Sequence, residues 1–418
     1  MPFSRSSARI ILISITSLAA LVSCRTKVSV PRPAVEYVSS IVQDKTSRQA
    51  MLVSSSASGS SDGSIFIVGE PLESLHLSEA LMCSDDFDNV TGSAHPDALP
   101  DFAGEEICSL LDKANSPYRG YLKASNSSFL RELTVRHVVE SLDSVVFISP
   151  FDKEGMGRRK AAKLIVLASP YMAAYGRFDA DTLFSCMGVE SIVISPLDIM
   201  MAESLPADGT PVNVGVLADS AAIADRVYES VFAEQTSRKA SHSSLLFQGS
   251  PRGNGHELVS FLEQYSQAGY SNPLSVLIVD DYSVDIDSLK AELAAIRVEL
   301  SDAQLLYGSL VSDDFRILDT RSTVAHECYR RLRSSNTFTH NIAYPRASAL
   351  VSSPSTELPS MCYTPDGALT DDFKYSRRVM SDYPSYMLLQ FSTRFIPESI
   401  LDTLRSKAPK TYSSYVQK

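Results

Sequence analysis

Three segments place a serine, a proline and then an acid or a phenol directly after a short apolar run. They are SVVFISPFD (144–152), LIVLASPY (164–171) and SIVISPLD (191–198). Proline has no amide to give to a ladder, so it ends a central strand. Ser149, Asp152, Ser169, Tyr171, Ser195 and Asp198 are therefore expected at strand carboxyl ends, where open α/β sheets bind ligands. Asp219, Gln248 and Asp280 follow or close three further runs, VNVGVLA (212–218), SLLFQ (244–248) and SVLIVD (275–280). Hydroxyls and carboxylates on one rim suit a polar neutral ligand or a cation, because a lone buried carboxylate is costly. Asp152, Asp198 and Asp219 fit helix N-caps equally well, since Asp is favoured there. Tyr171 also fits half-buried packing, and Asp280 with Asp281 also fits a solvated turn.

Other chemistry is sparse. Gly249, Gly253 and Gly255 stand between a strand-like run and a helical pattern, a spacing that resembles a phosphate loop. No Tyr-x-x-x-Lys pair follows it, and a flexible strand–helix turn is the expectation. There is no GxSxG elbow, P-loop, HExxH or EF-hand pattern. The cysteines after residue 24 are Cys83, Cys108, Cys186, Cys328 and Cys362, an odd number without metal-site spacing. A Cys83–Cys108 bridge and two buried thiols are both open. The chain is read as no enzyme, with no cofactor and no metal.

The elements that must position these residues follow from hydrophobic pattern. IFIV (65–68), VVFIS (145–149) and the runs above are short, rich in Val, Ile and Leu, and do not alternate. So too are AQLLY (303–307) and ASALVSS (347–353). This is the pattern of strands buried on both faces. Amphipathic stretches lie between them at 127–142, 156–162, 179–188, 220–236, 255–268 and 286–299. The rhythm predicts βαβ units and mainly parallel sheets. Residues 70–125 show no regular pattern. The end of the chain, 335–418, is rich in Ser, Pro and Tyr.

The amino terminus reads differently. Arg5 and Arg9 precede an apolar stretch, IILISITSLAALV (10–22), too short to span a bilayer comfortably. Leu21-Val22-Ser23-Cys24 then resembles the lipobox of a bacterial lipoprotein. The resemblance implies cleavage before Cys24 and lipidation of Cys24, which would hold the chain to a membrane in the bacterial cell envelope. Residues 24–62 are expected to be a flexible tether; 34–52 admit a short helix, and the Ser/Gly stretch SSSASGSSDGS (54–64) follows.

LDSVVFISPFD, VESIVISPLD and PADGTPVNVGVLADSAAIADRVYESVFAEQ (206–235) are similar to type 1 periplasmic solute-binding proteins. The resemblance covers roughly 127–310. It implies an α/β fold of two Rossmann-like lobes, 63–205 and 206–418, with a small polar ligand in the cleft between them. The residues it implies at that cleft are the strand-end ones named above. Delivery to a transporter or sensor is the expected role. The alternative is an interaction lipoprotein that keeps the fold without a small-molecule site. A composition of 44% apolar and 21% charged residues supports a full core, and a net charge of −11 argues against nucleic-acid partners.

Overall fold

The computed structural model describes residues 32–416 apart from 153, 299–306, 342, 382–384 and 393–397. The lipobox and Cys24 lie outside the described residues, as does most of the AQLLY run. From Val35 onward the chain is one compact unit.

The fold is mixed α/β with two mainly parallel sheets, each the base of one Rossmann-like lobe. Strands are numbered in chain order: β1 Ser64–Gly69, β2 Glu106–Leu111, β3 Val145–Val146, β4 Gly157–Arg158, β5 Ala162–Leu167, β6 Val193–Ile194. They continue with β7 Asn213–Ala218, β8 Ser244–Gly249, β9 Leu274–Asp280, β10 Val311–Asp319, β11 Arg346–Pro354 and β12 Tyr386–Gln390. The first sheet has the order β12-β11-β2-β1-β5-β6 and is parallel except for β12. The second has the order β10-β9-β7-β8 and is wholly parallel.

The central strands behave as their composition demands. Every residue of β1 is buried, because helices cover both faces of its sheet. Burying Ile65, Phe66, Ile67 and Val68 contributes roughly 1.5–3 kcal/mol each. At Gly69 a Cβ would lie 2.8 Å from that of Ala168, so only glycine lets β1 and β5 end side by side. Glu70-Pro71 then opens the helix Pro71–Cys83 with proline in its first turn and a reciprocal Glu70/Glu73 cap.

Several expectations need correction. The expected tether is largely structured: the helices Glu36–Gln43 and Arg48–Ser55 pack on the body through Val38, Ile41, Ala50 and Val53. Their apolar stripes are short but become buried against the helices Ser127–Ser141 and Pro170–Cys186. The lobes also divide elsewhere than 205/206. The second sheet spans only β7–β10, and the helix Thr320–Ser334 carries the chain back to add β11 and β12 to the first. The 70–125 region supplies β2, whose sequence EICSLL is too brief to stand out among polar neighbours. No helix forms at 156–162. No disulfide joins Cys83 to Cys108; the first is exposed and the second buried.

VVFIS is not an interior strand. Val145–Val146 pairs antiparallel with β4, and Phe147 bridges Leu389 on the outer side of β12. An interior strand needs cover on both faces, and Ile148 is exposed. Ser149 and Ser195 therefore lie at opposite edges of the first sheet, and the repeat does not form one rim.

Candidate functional site

The strand-end residues fall into four places. Ser149 and Asp152 form a local turn: the Asp152 carboxylate accepts from the amides of Ile148 and Ser149 at 3.1 and 2.9 Å. Ser195 and Asp198 form a buried structural knot. Ser195 Oγ donates to Asp198 Oδ2 at 2.5 Å, Gln235 Nε2 donates to Oδ1 at 3.1 Å, and Arg177 pairs with the same carboxylate at 2.8 Å. This ties the helices Pro170–Cys186 and Pro196–Glu203 to Val227–Lys239. Gln248 donates to Glu229 at 3.2 Å on β8, the edge strand of the second sheet. These five residues do not meet a common cleft.

Ser169, Tyr171, Asp219 and Asp280 do converge, where the carboxyl ends of β1, β5, β7 and β9 approach each other. Two residues that sequence reasoning missed join them there, Glu70 and Glu73. A usable signal was present: Glu70 directly follows the IFIVG strand and precedes a proline, the same logic that singled out Ser169.

The crevice is built as follows. Glu70 accepts from the amide of Tyr118 at 2.7 Å, and Glu73 Oε2 accepts from the amide of Glu70 at 3.1 Å. From the second lobe, Asp280 accepts from Tyr228 Oη at 2.9 Å and from Thr320 Oγ1 at 2.6 Å. Tyr282 donates to the carbonyl of Ala168 at 3.3 Å and stacks on His76 with centroids 5.5 Å apart. Ser169 is fully buried; its hydroxyl faces the Glu73 carboxyl but makes no hydrogen bond of good geometry. Tyr171 Oη donates to Asp225 Oδ2 at 2.8 Å, and Arg119 Nε lies 3.4 Å from that oxygen. These two contacts cross from the first lobe to the second.

Electrostatics follow from this crowding. Burial pushes the Glu73 carboxyl well above its ordinary range, and the neighbouring Glu70 and Asp280 push it further. Glu70 is raised by burial, then by Asp112 and Asp219. Burial also raises Asp280, against the bonds from Thr320 and Tyr228. Asp219 is exposed and caps the helix Ser220–Ala224, accepting from the amides of Ala221 and Ala222. Its N-cap role stands beside its position on the crevice. Glu70 and Glu73 are half-buried as whole residues, and the Glu73 carboxyl is deeply set. Among the described residues, no group of three or more His, Cys, Asp or Glu side chains is arranged to hold a metal ion.

Beside the crevice lies a second buried network. His137 Nε2 is 2.8 Å from Asp112 Oδ2, and Nδ1 is 2.8 Å from Glu140 Oε2. Burial lowers the imidazole pKa, but the two carboxylates outweigh it and raise it to about 9. Asp112 also accepts from Ser352, Asn115 and Tyr118.

No protein-family model matches the chain, and no curated protein matches it in sequence. Solved structures do align with it. A glutamate racemase from Thermus thermophilus, in complex with β-chloro-D-alanine, has a TM-score of 0.40 at 13% identity. That alignment covers 70% of this chain and 88% of the racemase. One from Francisella tularensis, in complex with D-glutamate, has a TM-score of 0.39 at 14% identity, covering 72% and 90%. A LacI family transcription regulator from Clostridium acetobutylicum has a TM-score of 0.22 at 10% identity, covering 58% and 97%. At these values the likeness concerns the fold, two lobes of α/β structure. The racemases among these neighbours are enzymes, and the expectation that this chain is no enzyme is withdrawn, without an activity being assigned from them.

Proposed function

We propose that this chain is an envelope lipoprotein, anchored through Cys24, that takes a small polar ligand into the crevice between its lobes. One observation carries the ligand reading. Glu73 is deeply set beside Glu70, Asp280 and the unsatisfied Ser169 hydroxyl. Crowded carboxylates are costly in the empty state and are relieved by a bound cation or by several hydroxyl donors. The supported ligand class is therefore an amine or a polyhydroxyl compound, held by Glu70, Glu73 and Asp280 with Ser169 as an added donor. Delivery of that ligand to a transporter or sensor remains part of the proposal.

The test is a thermal-shift screen against amines, amino acids and polyols. A ligand at one hundred times its Kd adds roughly 2.7 kcal/mol to stability. The shift is expected to vanish in Glu73→Gln and to persist in Asp152→Ala, whose side chain lies in a remote turn. A hit that survives Glu73→Gln places the site elsewhere. For the anchor, Cys24→Ala is expected to abolish fatty-acid labelling; continued labelling overturns the lipobox reading.

A further inference from the structure

The excursion between β3 and β4 takes no part in the crevice and is unusually apolar for a surface loop. Ile148, Phe151 and Met156 are 58%, 80% and 72% exposed. The loop is held in place: Asp152 turns its carboxylate back onto the amides of Ile148 and Ser149, and Thr356 Oγ1 donates to the carbonyl of Pro150 at 3.2 Å. That inward turn takes one acid off the outer face. Large exposed apolar groups on a fixed loop mark contact with a partner or a membrane.

At the two ends of the loop, Val146 and Arg158, lies a cavity of about 290 Å3 whose lining also includes Arg159, Lys160, Glu106 and Tyr415. Two buried donors there lack an acceptor in good geometry. The Arg159 guanidinium lies 4.7 Å from the Phe66 ring centroid and donates through Nη2 to the carbonyls of Glu140 and Ser141, but Nε–H makes no hydrogen bond. Tyr415 is 7% exposed, and its hydroxyl faces Ser109 but makes no hydrogen bond of good geometry. Glu106, the acid in the lining, accepts from Ser348 at 2.8 Å. Residues 152–160 carry four basic and two acidic side chains, a positive segment on a chain of net charge −11.

We propose that the β3–β4 loop and this cavity form a docking site for an anionic phospholipid surface. Ile148, Phe151 and Met156 enter the boundary between headgroups and acyl chains, as apolar faces of interfacial proteins do. The cavity is of a size for a phosphodiester, whose two non-bridging oxygens satisfy Arg159 Nε–H and Tyr415 Oη–H. Arg158, and Lys160 beside its partner Asp62 at 2.8 Å, face the surface charge, an attraction of about 1 kcal/mol per cation near an anionic leaflet. Neither half suffices alone: the apolar loop gives no preference for charge, and the cations give no insertion.

The chain contains no tryptophan, so Phe151→Trp in the full chain is a single optical reporter. Its emission is expected to shift to the blue with phosphatidylglycerol vesicles and not with phosphatidylcholine vesicles or with inorganic phosphate. Adding Arg158→Glu and Lys160→Glu is expected to weaken the vesicle titration about tenfold or more, with an unchanged circular dichroism spectrum. Leu72→Trp, 59% exposed on another part of the surface, is the control and is expected not to shift. No shift with any vesicle overturns the proposal. So does an equal shift at residue 72, which means adsorption through another segment. A response to inorganic phosphate without one to vesicles assigns the cavity to a free anion and also overturns it.

Discussion

Tyr171 Oη sits 2.8 Å from Asp225 Oδ2, the first on the helix after β5 and the second after the first turn beyond β7. It is a direct bond between the lobes at the edge of the crevice. Asp225 holds the phenol neutral: burial and that carboxylate both raise the tyrosine pKa. A bond of this kind is worth about 1 kcal/mol net, enough to bias a two-lobed body toward closure without locking it.

Tyr171→Phe removes that bond while keeping the ring's packing. The expected result is a several-fold loss of ligand affinity with little change in unfolding temperature. Titration of the crevice ligand into both proteins checks it. An unchanged affinity means the bond plays no part in closure.

Glu73→Gln tests the carboxylate crowding through its pH dependence. The folded pKa is raised above the ordinary 4.5, so the folded state holds a proton that the unfolded chain releases. Wild-type stability therefore falls as pH rises from about 4.5 toward that raised value. Gln cannot titrate, so the variant gains on the wild type as pH rises. Urea unfolding at pH 5 and pH 8 measures the difference. A variant less stable than wild type at pH 8 contradicts the crowding. A cationic ligand binds the charged carboxylate, so wild-type affinity for it rises with pH.

The buried His137 has the same sign but acts at higher pH. Its pKa is raised to about 9 by Asp112 and Glu140 against the cost of burial. Its contribution is fully present below pH 6.5 and is lost as pH climbs through about 9. The change is on the order of 3 kcal/mol. His137→Gln leaves Asp112 without its counter-charge and is expected to destabilise at pH 7 by about 3–5 kcal/mol. It also removes the slope between pH 6.5 and 9. A variant that keeps the slope assigns it to another group.

The helices at 36–55 make a fourth prediction. Ile41 is 2% exposed, and Arg48 pairs with Asp143 at 2.7 Å. Ile41→Ala is expected to cost about 2–5 kcal/mol. A free tether would lose nothing. Limited proteolysis supplies the second readout: cleavage within 36–55 should require prior unfolding.

Most strands were legible as apolar runs, and β1, β5, β7 and β9 are buried on two faces; β2, central in the first sheet, was missed because its run is brief. β1, β5, β7, β8, β9 and β11 all fall on predicted runs. β10, VSDDFRILD, escaped because it is an edge strand with polar exposed positions. β3 misled because its residues look like a core strand, and nothing local says that no helix covers them. The rule that polar residues close parallel strands found Ser169, Tyr171, Asp219 and Asp280, and applied to IFIVGE it also reaches Glu70.

What sequence alone determined was the α/β class, the parallel pairing and the chemistry available at each strand end, all properties of short windows. Tertiary structure decided which ends face one another. Strand order places β1, β5, β7 and β9 together and sends Ser149 and Ser195 to opposite edges, and no local pattern encodes that order. The same holds for Asp198: an isolated reading permits a ligand contact, but Arg177 and Gln235, brought in from two other helices, occupy its oxygens.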